Sequence, residues 1–498
     1  MESRVWEMPV TAYRWPAVRE FRDRRVELDQ LERWWASTAR EPLSLYGRRR
    51  VGKSWLFRRF AHGKPAVILV ADRVAAGQQL THLAAELEPV LGLRPHLADV
   101  ADLFRLLYQL GARRKVLVVV DEFPYLLGTT SAEQQGNLTA IQAVMEQHRD
   151  SSKLKLVLTG SAVAMMEALG AERSPMHGRL VPLTLWPMPF GDATLLMDVD
   201  DPLEQLTRYS IAGGMPRYLD ALRGPDLTAT LATSVVSRYG QLFNEPRTLL
   251  QTELREPAVY FSVLSELAGN PQDVAAIAAA LRMEANQLGP YLAGLEALRL
   301  VARRRPAGAD AHSRGSQWRC TDHFVRFWFR FVAPYQSELE AGADPVEHVE
   351  RNVLPALNEH TAPAFEDALT SWMRTAYPGA TSVGVWWGRS LHRLRAAKER
   401  FTEEVDAVAL HGKTVTAVAE AKWTNKPLDA AVLRDLLDVK LPALAQDGFS
   451  TTGAQIVLAS RSGFTDGART LATDTPGVRL LDASVLLSDL RSGTVTPG

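Results

Sequence analysis

Short apolar runs punctuate the first two-fifths of the chain: Leu43–Tyr46, Ala66–Val70, Val116–Val120, Leu154–Leu158 and Leu180–Leu185. Each is rich in aliphatic or β-branched residues and is separated from the next by a stretch of helical character. This alternation predicts parallel strands joined by helical crossovers, with the strands buried on both faces. Residues 195–255 read as helical, without the period of two that a strand needs. Over 257–306 three short helices are expected, the first with Phe261, Leu264 and Leu267 at helical spacing, the second over Asp273–Leu281 and the third over Ala285–Leu298. Phe324, Phe327, Trp328 and Phe331 also fall at helical spacing and predict a buried face. Ala341–Pro345 has the composition of a linker. Beyond it a helix over Ala362–Tyr377 precedes strands at Thr381–Trp387, Glu404–Leu410 and Thr414–Trp423, then a helix, a strand at Ala454–Ser460, another helix and a strand at Val478–Leu481.

The pattern thus divides into an N-terminal arm (1–20), an α/β core (21–192), a helical lid (193–256), a module of winged helix-turn-helix size (257–335) and a C-terminal α/β unit (346–498). A chain of 498 residues is too long for one core, which agrees with this division. Formal net charge is zero, so contact with nucleic acid or membrane must come from local patches. A single cysteine, Cys320, excludes a disulfide framework and fits a reducing, cytoplasmic setting. The N-terminus lacks the apolar core of a signal peptide, and no apolar run approaches the length of a membrane span.

Candidate chemistry begins at Gly47-Arg48-Arg49-Arg50-Val51-Gly52-Lys53-Ser54, a G-x-x-x-x-G-K-S loop between an expected strand and an expected helix. Its glycines let backbone N–H groups of the loop, including those of Arg50, Val51 and Gly52, approach phosphates. Lys53 reaches the β- and γ-phosphates, and Ser54 holds Mg²⁺. Val116–Val120 ends in Asp121-Glu122, a buried strand delivering two carboxylates to its C-terminal end; Asp121 suits the Mg²⁺ shell and Glu122 the polarising of water. Thr159 and Ser161, after the neighbouring strand, could orient that water or simply cap a helix. Arg179 is the candidate for transition-state charge, with Arg50 and Arg217 as rivals. These parts predict ATP binding and hydrolysis with Mg²⁺.

Five ordered motifs extend the picture: Phe21-Arg22-Asp23-Arg24 with Glu27-Leu28, the phosphate loop, Asp121–Leu126, Leu158–Ser161 and Gly213–Leu219. Together they resemble the archaeal-type ATPase family, AAA+/STAND-related proteins of archaea and bacteria, over residues 20–335. The resemblance implies that Asp23 and Arg24 lie beside adenine and ribose. It also implies that a winged helix here often packs as a structural element.

That module raises the question of nucleic acid. Between Arg299 and Arg330 eight arginines face two aspartates, and Arg303, Arg304 and Arg305 would open the wing. A third helix offering Asn286, Gln287 and Tyr291 could enter a major groove, or the module could be structural.

In the C-terminal unit, Asp406 lies in one expected strand and Glu420 and Lys422 in the next. The period of two puts Glu420 and Lys422 on one face, and a hairpin through His411-Gly412-Lys413 brings Asp406 alongside. Two carboxylates and an ammonium together are costly to bury unless a metal joins them. As a site they would hold Mg²⁺ against a phosphodiester, with Glu366 as a third acidic ligand and Lys422 positioning or deprotonating water. Arg389, Arg393, Arg395, Lys398 and Arg400 are expected in a basic loop before the Asp406 strand, where they could hold a phosphate backbone. The D-x₁₃-E-x-K spacing and the element order resemble the PD-(D/E)XK nuclease superfamily, which implies a restriction-endonuclease-like fold. The favoured expectation is an ATP-gated, Mg²⁺-dependent nuclease acting on DNA. A nucleotide-switched DNA-binding protein without cleavage, and an ATPase acting on protein partners or as a homo-oligomer, stay open.

Overall fold

The structure is a computed structural model that describes residues 21, 23–254, 256–309, 315–396 and 399–495. The expected N-terminal arm and Arg22 lie outside the described residues, as do the side chains of Arg393, Arg395, Lys398 and Arg400. The chain divides into two compact units, Met1–Pro187 and Met188–Gly498.

In the first unit, strands β1 (Leu43–Tyr46), β2 (Ala66–Val70), β3 (Val116–Asp121), β4 (Leu154–Gly160) and β5 (Val181–Thr184) form one sheet in the order β2-β3-β4-β1-β5. Every pairing is parallel. All six residues of β3 and all seven of β4 are buried, as central strands covered on both faces must be. Helices Ala76–Leu91, Val100–Leu110 and Ser131–His148 supply apolar stripes to the core. The register sets Val120 of β3 beside Leu158 of β4, so the carboxylates after β3 and the polar residues after β4 emerge at the same sheet edge. Ligands bind at the carboxyl ends of the strands in such sheets.

The second unit opens with helices, among them Pro202–Ala212 and Glu245–Glu253. Helices Pro257–Leu267, Val274–Leu281 and Gly289–Ala297 follow, then an antiparallel ribbon of β6 (Val301–Arg304) and β7 (Gln317–Cys320). The expected third helix begins later than read: Ala285–Gln287 is a 3₁₀ turn, and Gly289-Pro290 restarts the helix because proline suits the first helical turn and not an interior. Helix His323–Phe331 buries Phe324, Phe327, Trp328 and Phe331, the face its spacing demanded. Ala341–Pro345 is a tight turn inside this unit: Gly342, at φ 105°, ends one helix, and Asp344 caps the next.

The last sheet runs β12 (Val478–Asp482), β11 (Gln455–Ser460), β10 (Thr414–Lys422), β9 (Glu399–His411), β8 (Ser382–Ala396). β8, β9 and β10 pair antiparallel, then β11 and β12 join parallel. Helix Leu357–Ala376 packs on one face with Phe365, Leu369 and Trp372. The expected basic loop before Asp406 is instead the two arms of the β8–β9 hairpin, with Arg389 paired to Thr402. A dense run of arginines reads as loop from sequence, yet the arms of an antiparallel hairpin also tolerate charged residues. Among the described residues no helix is long and apolar enough to cross a membrane.

Candidate functional site

The loop after β1 is shaped by glycine where only glycine fits. A Cβ on Gly47 would collide with the Leu185 carbonyl, and Gly52, at φ 100°, caps the helix Lys53–Ala61. Arg50 also takes a left-handed backbone, at φ 67°. Val51 is fully buried and anchors the loop. The Lys53 ammonium is buried and donates to the carbonyls of Gly47 at 2.7 Å and Arg48 at 3.2 Å, so it lies inside the cradle where phosphates would sit. The Ser54 hydroxyl donates to Asp121 Oδ2 at 3.3 Å, and these two oxygens converge as Mg²⁺ ligands would. Burial and the neighbouring Glu122 push the Asp121 carboxyl up, a site that a cation would stabilise.

Glu122 follows the strand at φ 52°, and its carboxylate accepts from the backbone N–H of Ser161 at 3.1 Å and the Ser161 hydroxyl at 2.9 Å. Thr159 is buried beside it, and its hydroxyl has no hydrogen-bond partner among the described residues. Arg24 reaches the loop itself. Its buried guanidinium donates to the Val51 carbonyl at 2.9 Å and the Trp186 carbonyl at 2.8 Å, and pairs with Glu27 at 3.0 Å, so it braces the loop from behind. Asp23 precedes it at φ 68°. Arg179 holds Glu146 through Nη2 at 2.6 Å near the surface, and Arg217 faces Asp220 at 3.8 Å.

In the second unit, the β9–β10 register brings Asp406 beside the end of β10, where its Oδ2 accepts the Ala421 N–H at 2.8 Å. Lys422 Nζ lies 2.9 Å from Glu420 Oε2 and 3.5 Å from Asp406 Oδ2. The other Glu420 oxygen is taken by Lys440, 2.6 Å away, and Glu420 is 1% exposed. Lys440 was not singled out from the sequence. It ends a turn of π-helix, Leu436–Lys440, and a lone cation amid Leu436, Leu437, Val439 and Leu441 was the available signal.

These groups line a cleft of about 610 Å³, together with Glu366 of helix Leu357–Ala376, Arg319 and Arg326. Carboxylates on its walls outnumber cations. Burial, then Asp406, Asp367 and Glu404, push the Glu366 carboxyl up to about 8. Burial and Asp406 also raise Glu420. Burial works against the charge on Lys422, but Asp406 and Glu420 overcome it and hold the ammonium above the ordinary lysine range. In this state the Lys422 ammonium stands between the two carboxylates and offsets their charge. Among the described residues no three His, Cys, Asp or Glu side chains stand at metal-ligand spacing. Asp406 and Glu420 with water would suit a hard cation, whose charge Lys422 and Lys440 now supply.

The candidate nucleic-acid residues divide. Arg303 is exposed and donates to Ser316 Oγ at 2.8 Å; Arg305 and Arg389 are exposed. Arg304 is instead committed to the C-terminal sheet, paired with Glu404 and lying over the Trp387 ring at 4.9 Å. Trp386 is in the core. Helix Gly289–Ala297 carries no Lys or Arg, and Tyr291 packs edge-on against Tyr260 at 5.0 Å. A helix without cations is poorly suited to a phosphate-lined groove.

Comparison with known proteins agrees with the first unit's geometry. Residues 37–164 match a family described as AAA domain, and residues 328–433 match one described as Archaea bacterial proteins of unknown function. An uncharacterized protein of Methanocaldococcus jannaschii is 26% identical over 414 residues, 81% of this chain and 88% of that protein. Two solved structures are similar in part. A Walker-type ATPase of Pyrococcus abyssi is 20% identical with a TM-score of 0.49, covering 65% of this chain and 100% of its own. The ORC2 protein of Aeropyrum pernix, solved in ADPNP–ADP complexes, is 17% identical with a TM-score of 0.43, covering 68% and 98%. The loop, the two carboxylates after β3 and the AAA-domain match give this chain an AAA-type P-loop domain over residues 37–164, with a site for ATP.

Proposed function

We propose that this P-loop ATPase hydrolyses ATP with Mg²⁺ and carries in its second unit a Mg²⁺-dependent phosphodiesterase site of the PD-(D/E)XK kind, acting on DNA. The convergence of Asp406, Glu420 and Lys422 in one cleft is the observation that carries the nuclease part. In the first unit, Lys53 would leave the loop carbonyls for the β- and γ-phosphates. Glu122, once released by Ser161, would polarise the attacking water. Mg²⁺ would be held by Ser54 and Asp121.

In the cleft, Asp406 and Glu420 would hold a second Mg²⁺, with Glu366 accepting a share once deprotonated; the metal supplies Lewis acidity at the phosphodiester. Lys422, kept charged by its two carboxylates, would turn its ammonium toward the scissile phosphate and neutralise it. The three helices and ribbon of residues 257–320 are read as a winged helix that forms the wall of the cleft, since Arg304 faces the sheet. Nucleotide turnover governing cleavage is supported by the presence of both sites in one chain.

The test is incubation of the full chain with labelled DNA and RNA in Mg²⁺ or Mn²⁺, with and without ATP, beside Lys422→Ala. Metal-dependent cleavage lost in the variant supports the reading. Intact substrates under every condition, or equal cleavage by the variant, sink it. One observation favours a nucleotide-switched binding protein instead: both Glu420 oxygens are already held by lysines. DNA binding that responds to ATP without any cleavage would select that reading.

A further inference from the structure

We infer that the cleft of the second unit admits a single unpaired DNA strand and excludes the duplex; this rests on the phosphodiesterase reading above. The walls around Asp406 and Glu420 are fastened to each other. The Ala307 N–H, just beyond β6, donates to the Val385 carbonyl of β8 at 2.7 Å, and Ala307 is buried in the same core as Trp386, Val405 and Val408. Gly308 follows at φ 74°, so close to the sheet that a Cβ there would stand 2.8 Å from the Phe449 ring. Arg304 pairs with Glu404 beside this junction, and Arg319 of β7 holds Asp367 of helix Leu357–Ala376 at 2.8 Å. Backbone, apolar and ionic contacts therefore join ribbon, helix and sheet beside the cleft.

The space left is about 610 Å³. That is the size of a pocket for one small ligand, roughly 300–1,000 Å³. The Asp406 and Glu420 carboxylates are only 11% and 1% exposed, out of reach of a stiff duplex resting on the rim. One strand, with a base turned into the cleft, is not so limited. Because carboxylates outnumber cations on the walls, strand phosphates should enter only with divalent cations.

Fluorescence anisotropy of the full chain in Ca²⁺ tests this, with a labelled single strand compared with the same sequence as blunt duplex. Ca²⁺ fills carboxylate sites through longer, looser coordination than Mg²⁺. The single strand should bind at least about tenfold tighter, EDTA should abolish the difference, and Lys440→Glu should abolish strand binding. Lys440→Gln, a milder change at the same ammonium, should weaken it. Equal or tighter duplex binding, no binding of either DNA, or strand binding unchanged in both Lys440 variants overturns the inference. Selective strand binding without cleavage in Mg²⁺ or Mn²⁺ keeps the inference as a binding property and removes the nuclease reading. Cleavage of duplex and single strand at equal rates does the reverse.

Discussion

The phosphate loop and the second-unit cleft are both places where carboxylates and a lysine meet, but they are built in opposite ways. At the loop, Lys53 and Ser54 are adjacent, Asp121 and Glu122 are adjacent, and one parallel sheet brings both pairs to a common edge. The Lys53 ammonium rests on neutral carbonyls and is ready to be exchanged for phosphates. In the cleft, Glu366, Asp406, Glu420, Lys422 and Lys440 come from a helix, two antiparallel strands and a later π-turn, and the cations are already paired. A site preformed for an anionic ligand shows cations on backbone oxygens. The cleft instead shows carboxylates neutralised by lysines, pairs that are costly to break where they are buried.

Breaking the loop should give the largest effect. Lys53→Ala should abolish ATP binding. Glu122→Gln should retain binding while lowering hydrolysis by about a hundredfold or more, as removal of a transition-state group does; nucleotide binding and phosphate release separate the two. In the cleft the sharper contrast is in stability. Lys440→Met leaves a buried Glu420 oxygen unpaired and should cost on the order of 3 kcal/mol, whereas Glu420→Gln, which removes the charge that needs a partner, should cost less than about 1 kcal/mol. Urea unfolding followed by tryptophan fluorescence compares them. If the two variants are equally harmful, the cleft is not held by charge neutralisation.

Smaller effects refine the comparison. Ser161→Ala removes one hydrogen bond from Glu122, worth about 1 kcal/mol, and should change steady-state hydrolysis only severalfold. Larger loss would make Ser161 a participant and not a holder. The pH trends are the most subtle. Glu366 holds its proton more tightly folded than unfolded, so its contribution to stability is full below the ordinary glutamate value and is lost as pH rises through about 8. His323, pushed down to about 4 by burial and then by Arg326, contributes above the ordinary histidine value and loses that contribution as pH falls through about 4. Glu366→Gln should flatten the alkaline limb of a thermal-unfolding profile, and His323→Asn the acid limb.

The same contrast explains what could be read from the chain. Strands such as Ala66–Val70 and Gln455–Ser460 were legible because their apolar runs are short and bounded, and their ends fall within a residue of expectation. The loop's parts were legible because neighbours in sequence stay neighbours at a strand end. Asp406, Glu420 and Lys422 required only a hairpin and the alternation of a strand. Lys440 did not follow from any local pattern, since a π-turn twenty residues on aims it inward. Nor did the role of Arg304: the ribbon's charge suggests a free wing, while the packing of Ala307 and Gly308 turns it onto the sheet. Arg24 is the converse case: its place beside the loop is local, but one of the carbonyls its guanidinium holds comes from Trp186, far along the chain. Tertiary partners decide such cases, and local sequence does not carry them.

ATP hydrolysis and the proposed strand cleavage can be read in a single reaction. Phosphate release from ATP and cleavage of a labelled single strand are read from the same Mg²⁺ mixture for the native chain and Glu420→Gln. The account predicts that the native chain does both, and that the variant releases phosphate at the native rate while cleavage falls at least about a hundredfold. Cleavage that persists in Glu420→Gln, or that the native chain never shows, would contradict it.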